Sequence, residues 1–194
     1  MSKIMYVDVE TTGLEPSKHS IVQLAGIIEI DDVEKERFNL RMRPKEDTEI
    51  DPRALEIIGK TTEELMTYPH DIDVYPQLLL ILHKYVNKFE RQDKMFFVAY
   101  NANFDMQFVR AWFEARGDVY FGAWFFFPPI DIMTIAANEM MEVRAEMTDF
   151  KLHTVCKKLG LEWDELAAHD AMYDIEKTME IHSILEEYGV KDHL

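Results

Sequence analysis

The stretch Lys3-Ile4-Met5-Tyr6-Val7-Asp8-Val9-Glu10-Thr11-Thr12-Gly13-Leu14 decides how this chain folds. From Lys3 to Glu10 it reads as a strand. Ile4, Tyr6, Asp8 and Glu10 fall on one face, and Met5, Val7 and Val9 on the other. The apolar neighbours place this strand at the centre of a sheet. Two like charges on one face of such a strand are costly unless cations offset them. Asp8 and Glu10 therefore predict a site for hard cations rather than a solvated acidic pair.

Working outward, Ile21–Ile30 reads as a second strand and Arg37–Arg43 as a third, with Asp31 to Glu34 as the turn between them. This is an antiparallel opening to a sheet. Thr61-Thr62-Glu63-Glu64 has capping-box spacing before Leu65 and Met66. A long helix is expected over Asp73–Phe89, and Met95–Tyr100 returns to strand. Phe104, Phe108, Trp112 and Phe113 then recur at helical spacing up to Gly117. Phe125–Asp131 is expected to hold a last strand. Leu152, Val155, Cys156 and Leu159 form a further helical stripe closed by Gly160, and a final helix runs from Ala171 to Tyr188. The order predicts an α/β fold with a five-stranded mixed sheet flanked by helices, in a single domain over residues 1–194. No Gly-x-Gly-x-x-Gly follows the first strand and no P-loop occurs, which disfavours a doubly wound nucleotide-binding fold.

Three more chemical groups stand out. Asp105 follows the Met95–Tyr100 strand at the start of a helix. Asp174 opens the last helix, and His169 precedes it. On one helix, His169 and Asp174 would point about 140° apart. They converge only if His169 sits on a loop folded back over the first turns. Four carboxylates and an imidazole are the equipment for cutting a phosphodiester with two divalent metals. The other histidines, His19, His70, His83, His153, His182 and His193, have no comparable setting and read as structural or solvated.

Composition bounds the partners. Acidic residues number 37 against 21 basic, a net charge of −16, which is a poor match for gripping nucleic acid along an extended basic surface. Contact with a polyanion should be short, carried by bound cations and a small basic patch. Arg41, Arg43 and Lys45 at the end of the third strand offer such a patch, and protection of a strand edge explains them equally well. Lys157 and Lys158 are accounted for by their helix dipole. Cys156 is the only cysteine, so no intrachain disulfide can form. No leader-like segment and no apolar run long enough to span a membrane is seen, and the expectation is a cytoplasmic protein with no membrane partner. Trp124-Phe125-Phe126-Phe127-Pro128-Pro129 reads as a buried strand entering a turn, in preference to a partner-docking patch or a base-stacking platform. Met140, Met141 and Met147 read as core filling or a flexible region.

Three motifs in order resemble the DEDDh group of 3′–5′ exonucleases. They are Asp8-x-Glu10-Thr11-Thr12-Gly13-Leu14, Asn101-Ala102-x-Phe104-Asp105 and His169-x-Ala171-x-x-Asp174. Ile57 to Thr61 before Glu64-Leu65, Asp131 at a helix start, and Leu152 to Leu161 resemble the connecting segments. Tyr100, Ile58 and Ile132 depart from the usual family residues, and none of these removes a ligand. The resemblance implies a ribonuclease H-like fold. It implies Asp8, Glu10, Asp105 and Asp174 around two divalent cations, Mg²⁺ or Mn²⁺, with His169 as general base. It places Thr11, Thr12, Gly13, Leu14, Asn101 and Phe104 in the substrate site. The implied substrate is the 3′ end of single-stranded DNA, cut to nucleoside 5′-monophosphates, with a polymerase or other replication or repair protein as partner. The alternatives are the same chemistry on RNA, or a catalytically silent module that binds a polymerase.

Overall fold

The computed structural model describes residues 2–191, so Met1 and His193, which the sequence suggests is structural or solvated, lie outside the described residues. Five strands form one sheet in the order β3-β2-β1-β4-β5. They are β1 (Lys3–Thr11), β2 (Ile21–Ile30), β3 (Val33–Arg41), β4 (Phe96–Ala99) and β5 (Ile130–Asp131). β1 is central, antiparallel to β2 and parallel to β4. Its alternation partitions the core. Met5, Val7 and Val9 join one buried cluster, and Tyr6 joins the other, on the opposite face.

The β2–β3 hairpin turns on Asp31 and Asp32 alone, both with positive φ (50° and 61°). Two left-handed residues match the twist of a tight hairpin, so pairing resumes at Val33. This corrects the wider turn and the Arg37–Arg43 strand expected from the sequence. β5 is also shorter than the Phe125–Asp131 segment. Phe125 makes only an isolated parallel bridge with Met95. Pro128 and Pro129 have no N–H to give to a ladder, so regular pairing begins at Ile130. Trp124 and Phe125 are buried, as the strand-into-turn reading requires, while Phe127 is 80% exposed.

Helices cover both faces. α1 (Pro52–Ile58) was not foreseen, although its signals are local: Asp51 accepts from the Arg53 amide, Pro52 starts the helix, and Gly59 ends it at φ 63°. α2 (Thr62–Leu65) is capped by Thr61. α3 spans Asp71–Tyr85 rather than Asp73–Phe89 because Val86 is already extended. α4 (Ala102–Ala115) packs Phe108, Val109, Trp112 and Phe113 into the first cluster. α5 (Ile132–Glu139), α6 (Leu152–Lys158) and α7 (Ala171–Lys191) supply the second. Met140 and Met147 are buried there, and Met141 is 65% exposed. His182 of α7 is buried and shares a hydrogen bond with the Tyr6 hydroxyl, 2.7 Å, a structural role. No helix among the described residues is long and apolar enough to cross a membrane.

Candidate active site

The site forms where β1 ends, between the first turns of α4 and α7. Asp8 and Glu10 leave the face of β1 that α7 covers. Asp105, in the first turn of α4, is 2% exposed, and its Oδ1 accepts from the Val9 amide at 3.1 Å. That bond pins α4 to β1 between the two strand carboxylates. Asn101, at φ 67°, turns the chain into α4, and its amide donates to Asp131 Oδ1 at 3.1 Å. Asp131 also caps α5 through the Met133 amide.

His169 stands two residues before α7 in a left-handed conformation, φ 64°. The chain folds back there, as convergence with Asp174 requires. Asp170 braces the turn: its Oδ1 accepts from the Met172 amide at 3.1 Å, and its Oδ2 accepts from Gln23 Nε2 at 3.4 Å. As a result, ligand-type atoms of Glu10, His169 and Asp174 all lie within 4.8 Å of one another.

The electrostatics follow from crowding acids in a dry place. Burial holds the Asp8 carboxyl well above the usual carboxylate range, and Asp105, Glu10 and Asp174 add to it. Burial raises Asp105 as well, against the opposing pull of the Val9 amide. Glu10 is pushed up to about 9 by burial and then by Asp174 and Asp105. Asp174 is pushed up to about 7 by burial, with the His169 backbone amide opposing and Asp170 adding. His169 moves down, through burial and then the neighbouring His153, with Glu165 opposing. Asp174 Oδ1 is buried with no hydrogen-bond partner. An orphaned carboxylate oxygen among mutually repelling acids fits a divalent cation, and carboxylate-rich donor sets suit hard ions.

The glycine loop divides into surface and support. Leu14 is 78% exposed. Thr11 is buried, its hydroxyl donating to the Gly13 carbonyl at 2.7 Å. A Cβ on Gly13 would come within 2.2 Å of the His19 ring, so a larger residue would have to displace that ring. Phe104 is half-buried against Phe108, with ring centroids 5.0 Å apart. Thr12 turns inward. It is fully buried and every polar group it has is used internally. Its amide donates to Ser20 O and its carbonyl accepts from Asp51 N. Its hydroxyl donates to Glu49 O and accepts from Ser20 N. Thr12 ties the loop to Ser20, Glu49 and Asp51.

Beside Asp174 and His169 opens a cleft of about 500 Å³ whose walls include Lys151, His153, Lys157 and Trp163. The sequence reading missed these residues. Lys157 sat at a helix end where the dipole explains it, and only the packing of α6 against α7 brings the four to the site.

Comparison with known proteins bears on the family and the fold. The family model described as "Exonuclease" matches residues 5–182. The chain is 29% identical over 176 residues to a PolC-type DNA polymerase III from Thermotoga petrophila, covering 90% of this chain but 11% of that protein. It is 26% identical over 185 residues to ribonuclease T from Shewanella denitrificans, covering 90% of this chain and 76% of the relative. Among solved structures, E. coli exonuclease I in complex with a dT13 oligonucleotide superposes with a TM-score of 0.78 at 20% identity, over all of this chain and 43% of the other. A zinc-bound form of the exonuclease I–ssDNA complex gives the same TM-score. The structural likeness establishes the ribonuclease H-like fold.

Proposed function

The chain belongs to the exonuclease family, and from that premise we propose that it is a metal-dependent 3′–5′ exonuclease. The substrate of this proposal is single-stranded DNA, and the products are nucleoside 5′-monophosphates. The observation that carries the reading is the convergence of Glu10, His169 and Asp174 within 4.8 Å, beside the buried Asp8 and Asp105.

In this reading Asp8, Glu10, Asp105 and Asp174 hold two divalent cations, Mg²⁺ or Mn²⁺. When bound, the cations would stabilise the attacking and leaving oxygens of an in-line displacement. His169, kept neutral by its lowered pKa, takes the proton of the attacking water. Water adds at the terminal phosphorus, and the bond from that phosphorus to the upstream 3′ oxygen breaks. Leu14 and Phe104 offer apolar surface for the terminal base, while Gly13 and the Thr11 backbone shape its floor. Asn101 fixes the entry to α4 beside the cleft.

The likeness to ribonuclease T favours a second reading, the same chemistry on RNA 3′ ends. A catalytically silent module is disfavoured, because all five side chains are present. The matching segment of a PolC-type polymerase motivates a polymerase, or another replication or repair protein, as partner. A reducing, cytoplasmic compartment fits the lone buried Cys156.

The test is to digest labelled single-stranded DNA, duplex DNA and RNA side by side with Mg²⁺, Mn²⁺ or chelator, and to size the products. Metal-dependent release of mononucleotides from the 3′ end is expected, fastest on single-stranded DNA. Endonucleolytic fragments, or no metal-dependent products, would reject the proposal.

A further inference from the structure

A cleft of about 480 Å³ lies away from the carboxylates, between the end of β3, the start of α3 and the end of α4. Arg43, Lys45, His70 and Arg116 line it. In a chain of net charge −16, such a cluster needs a reason. Arg43 has no carboxylate within ion-pair distance among the described residues. Its guanidinium instead rests on the His70 ring, with Nε donating to Nδ1 at 3.0 Å. Lys45 likewise makes no ion pair among the described residues, although most lysines of the chain do. Arg116 reaches Asp71 at 3.5 Å, but its Nε–H is buried without an acceptor. Of the acids at the cleft, Asp71 is already engaged by Arg116 and Trp112, and Glu46 and Asp47 are exposed. Two cations with no carboxylate partner among the described residues, Arg43 and Lys45, beside the unpaired Arg116 Nε–H, describe a place for an anion.

A small hollow lies between this cleft and the residues that flank the carboxylates. Lys45 and Asp71 also line it, with Pro16, His19, Phe108 and Trp112. That hollow adjoins Phe104 through Phe108, and Gly13 through His19. Asp105 and Arg116 mark opposite ends of α4, about 16 Å apart at about 1.5 Å per residue. At about 3.4 Å per nucleotide, a stacked strand spans that distance in roughly five nucleotides.

We infer that the Arg43–Lys45–Arg116 cleft is a second subsite that binds the backbone phosphates of the polynucleotide several nucleotides upstream of the cut end. It rests on the exonuclease reading and gives that activity a preference for length. Two or three cations at one point supply the short electrostatic contact that an acidic protein needs to hold a polyanion.

The test compares wild type with Arg43→Gln, Lys45→Gln and the double variant, each checked by its melting temperature. The first readout is the ratio of kcat/KM on a twelve-nucleotide strand to that on a three-nucleotide strand. Each substitution should lower that ratio by roughly fivefold, the equivalent of one exposed ion pair. The second readout is equilibrium binding of the fluorescent twelve-nucleotide strand across a salt series, which does not depend on turnover. The slope of log affinity against log salt should fall by about 0.7 per cation removed. An unchanged slope overturns the inference even if the protein is a nuclease. A reduced slope in a protein that releases no nucleotides keeps the subsite and sinks the exonuclease reading. Inorganic phosphate that raises the melting temperature of wild type alone, with no slope change in the variants, would assign the cleft to free phosphate and overturn it.

Discussion

The carboxylate of Asp105 and the backbone amide of Val9 are joined by a hydrogen bond of 3.1 Å across 96 positions of sequence. Val9 is the residue between Asp8 and Glu10, so the bond sets the distance from the α4 carboxylate to both strand carboxylates. Asp105 thus has two separable duties: it anchors a helix to the central strand, and it brings negative charge to the site.

Substitution separates those duties. In Asp105→Asn the side-chain oxygen still accepts from Val9, and the charge is gone. The melting temperature without metal should hold or rise, while metal-dependent turnover falls by orders of magnitude. In Asp105→Ala the buried Val9 amide loses its acceptor, which costs about 1–3 kcal/mol. Equal melting temperatures for the two variants would refute the anchoring role.

The raised carboxylates fix the sign of a pH effect. Their folded-state pKa values lie above the unfolded ones, so the protonated forms favour the folded chain. The stability they contribute is complete below the ordinary values of 3.8 for Asp174 and 4.5 for Glu10. It is lost as pH rises through about 7 for Asp174 and about 9 for Glu10. Metal-free protein should melt at lower temperature as pH rises across this window. Added Mn²⁺ or Mg²⁺ should raise the melting temperature, and by more at the alkaline end, where the carboxylates are ionised. Calorimetry with and without millimolar metal measures this, and a metal increment that shrinks with pH would contradict it.

His169→Ala should lower kcat by roughly a hundredfold to ten-thousandfold with oligonucleotide affinity largely kept. A base must be unprotonated, and this imidazole lies below its ordinary value of 6.5. With metal saturating, so that the carboxylates stay ionised, the acid limb of the wild-type pH–rate profile should therefore fall below that pH and vanish in the variant. Stopped assays across a pH series read both, and an unchanged acid limb in the variant would remove His169 as the base.

Thr12→Val tests the loop. It strands the buried Ser20 amide and the Glu49 carbonyl, at about 1–3 kcal/mol. The melting temperature should fall, and KM per folded molecule should stay near wild type. A higher KM at an unchanged melting temperature would return Thr12 to the substrate contacts.

What was legible in the sequence was local. The alternation of Met5, Val7 and Val9 against Tyr6 and Asp8 set the two faces of β1, and those faces became two cores. The helical stripe from Phe104 to Phe113 and the Gly160 stop were read the same way. Failures came where a neighbour outvoted the pattern. Phe125 to Phe127 has strand composition, yet two prolines deny it a ladder. Arg37 to Arg43 was set too late along the chain because a two-residue turn let pairing start at Val33.

The sequence by itself determined which chemical groups this protein owns, and that Asp8 and Glu10 share a face, because a strand repeats every two residues. Only the tertiary structure decided that Glu10 meets His169 and Asp174, that Asp105 ties α4 to Val9, and that Thr12 turns inward. Those relationships join residues up to 164 positions apart. They are set by which helix packs on which end of β1, and by the Asp170-braced left-handed turn at His169, and no local periodicity encodes either.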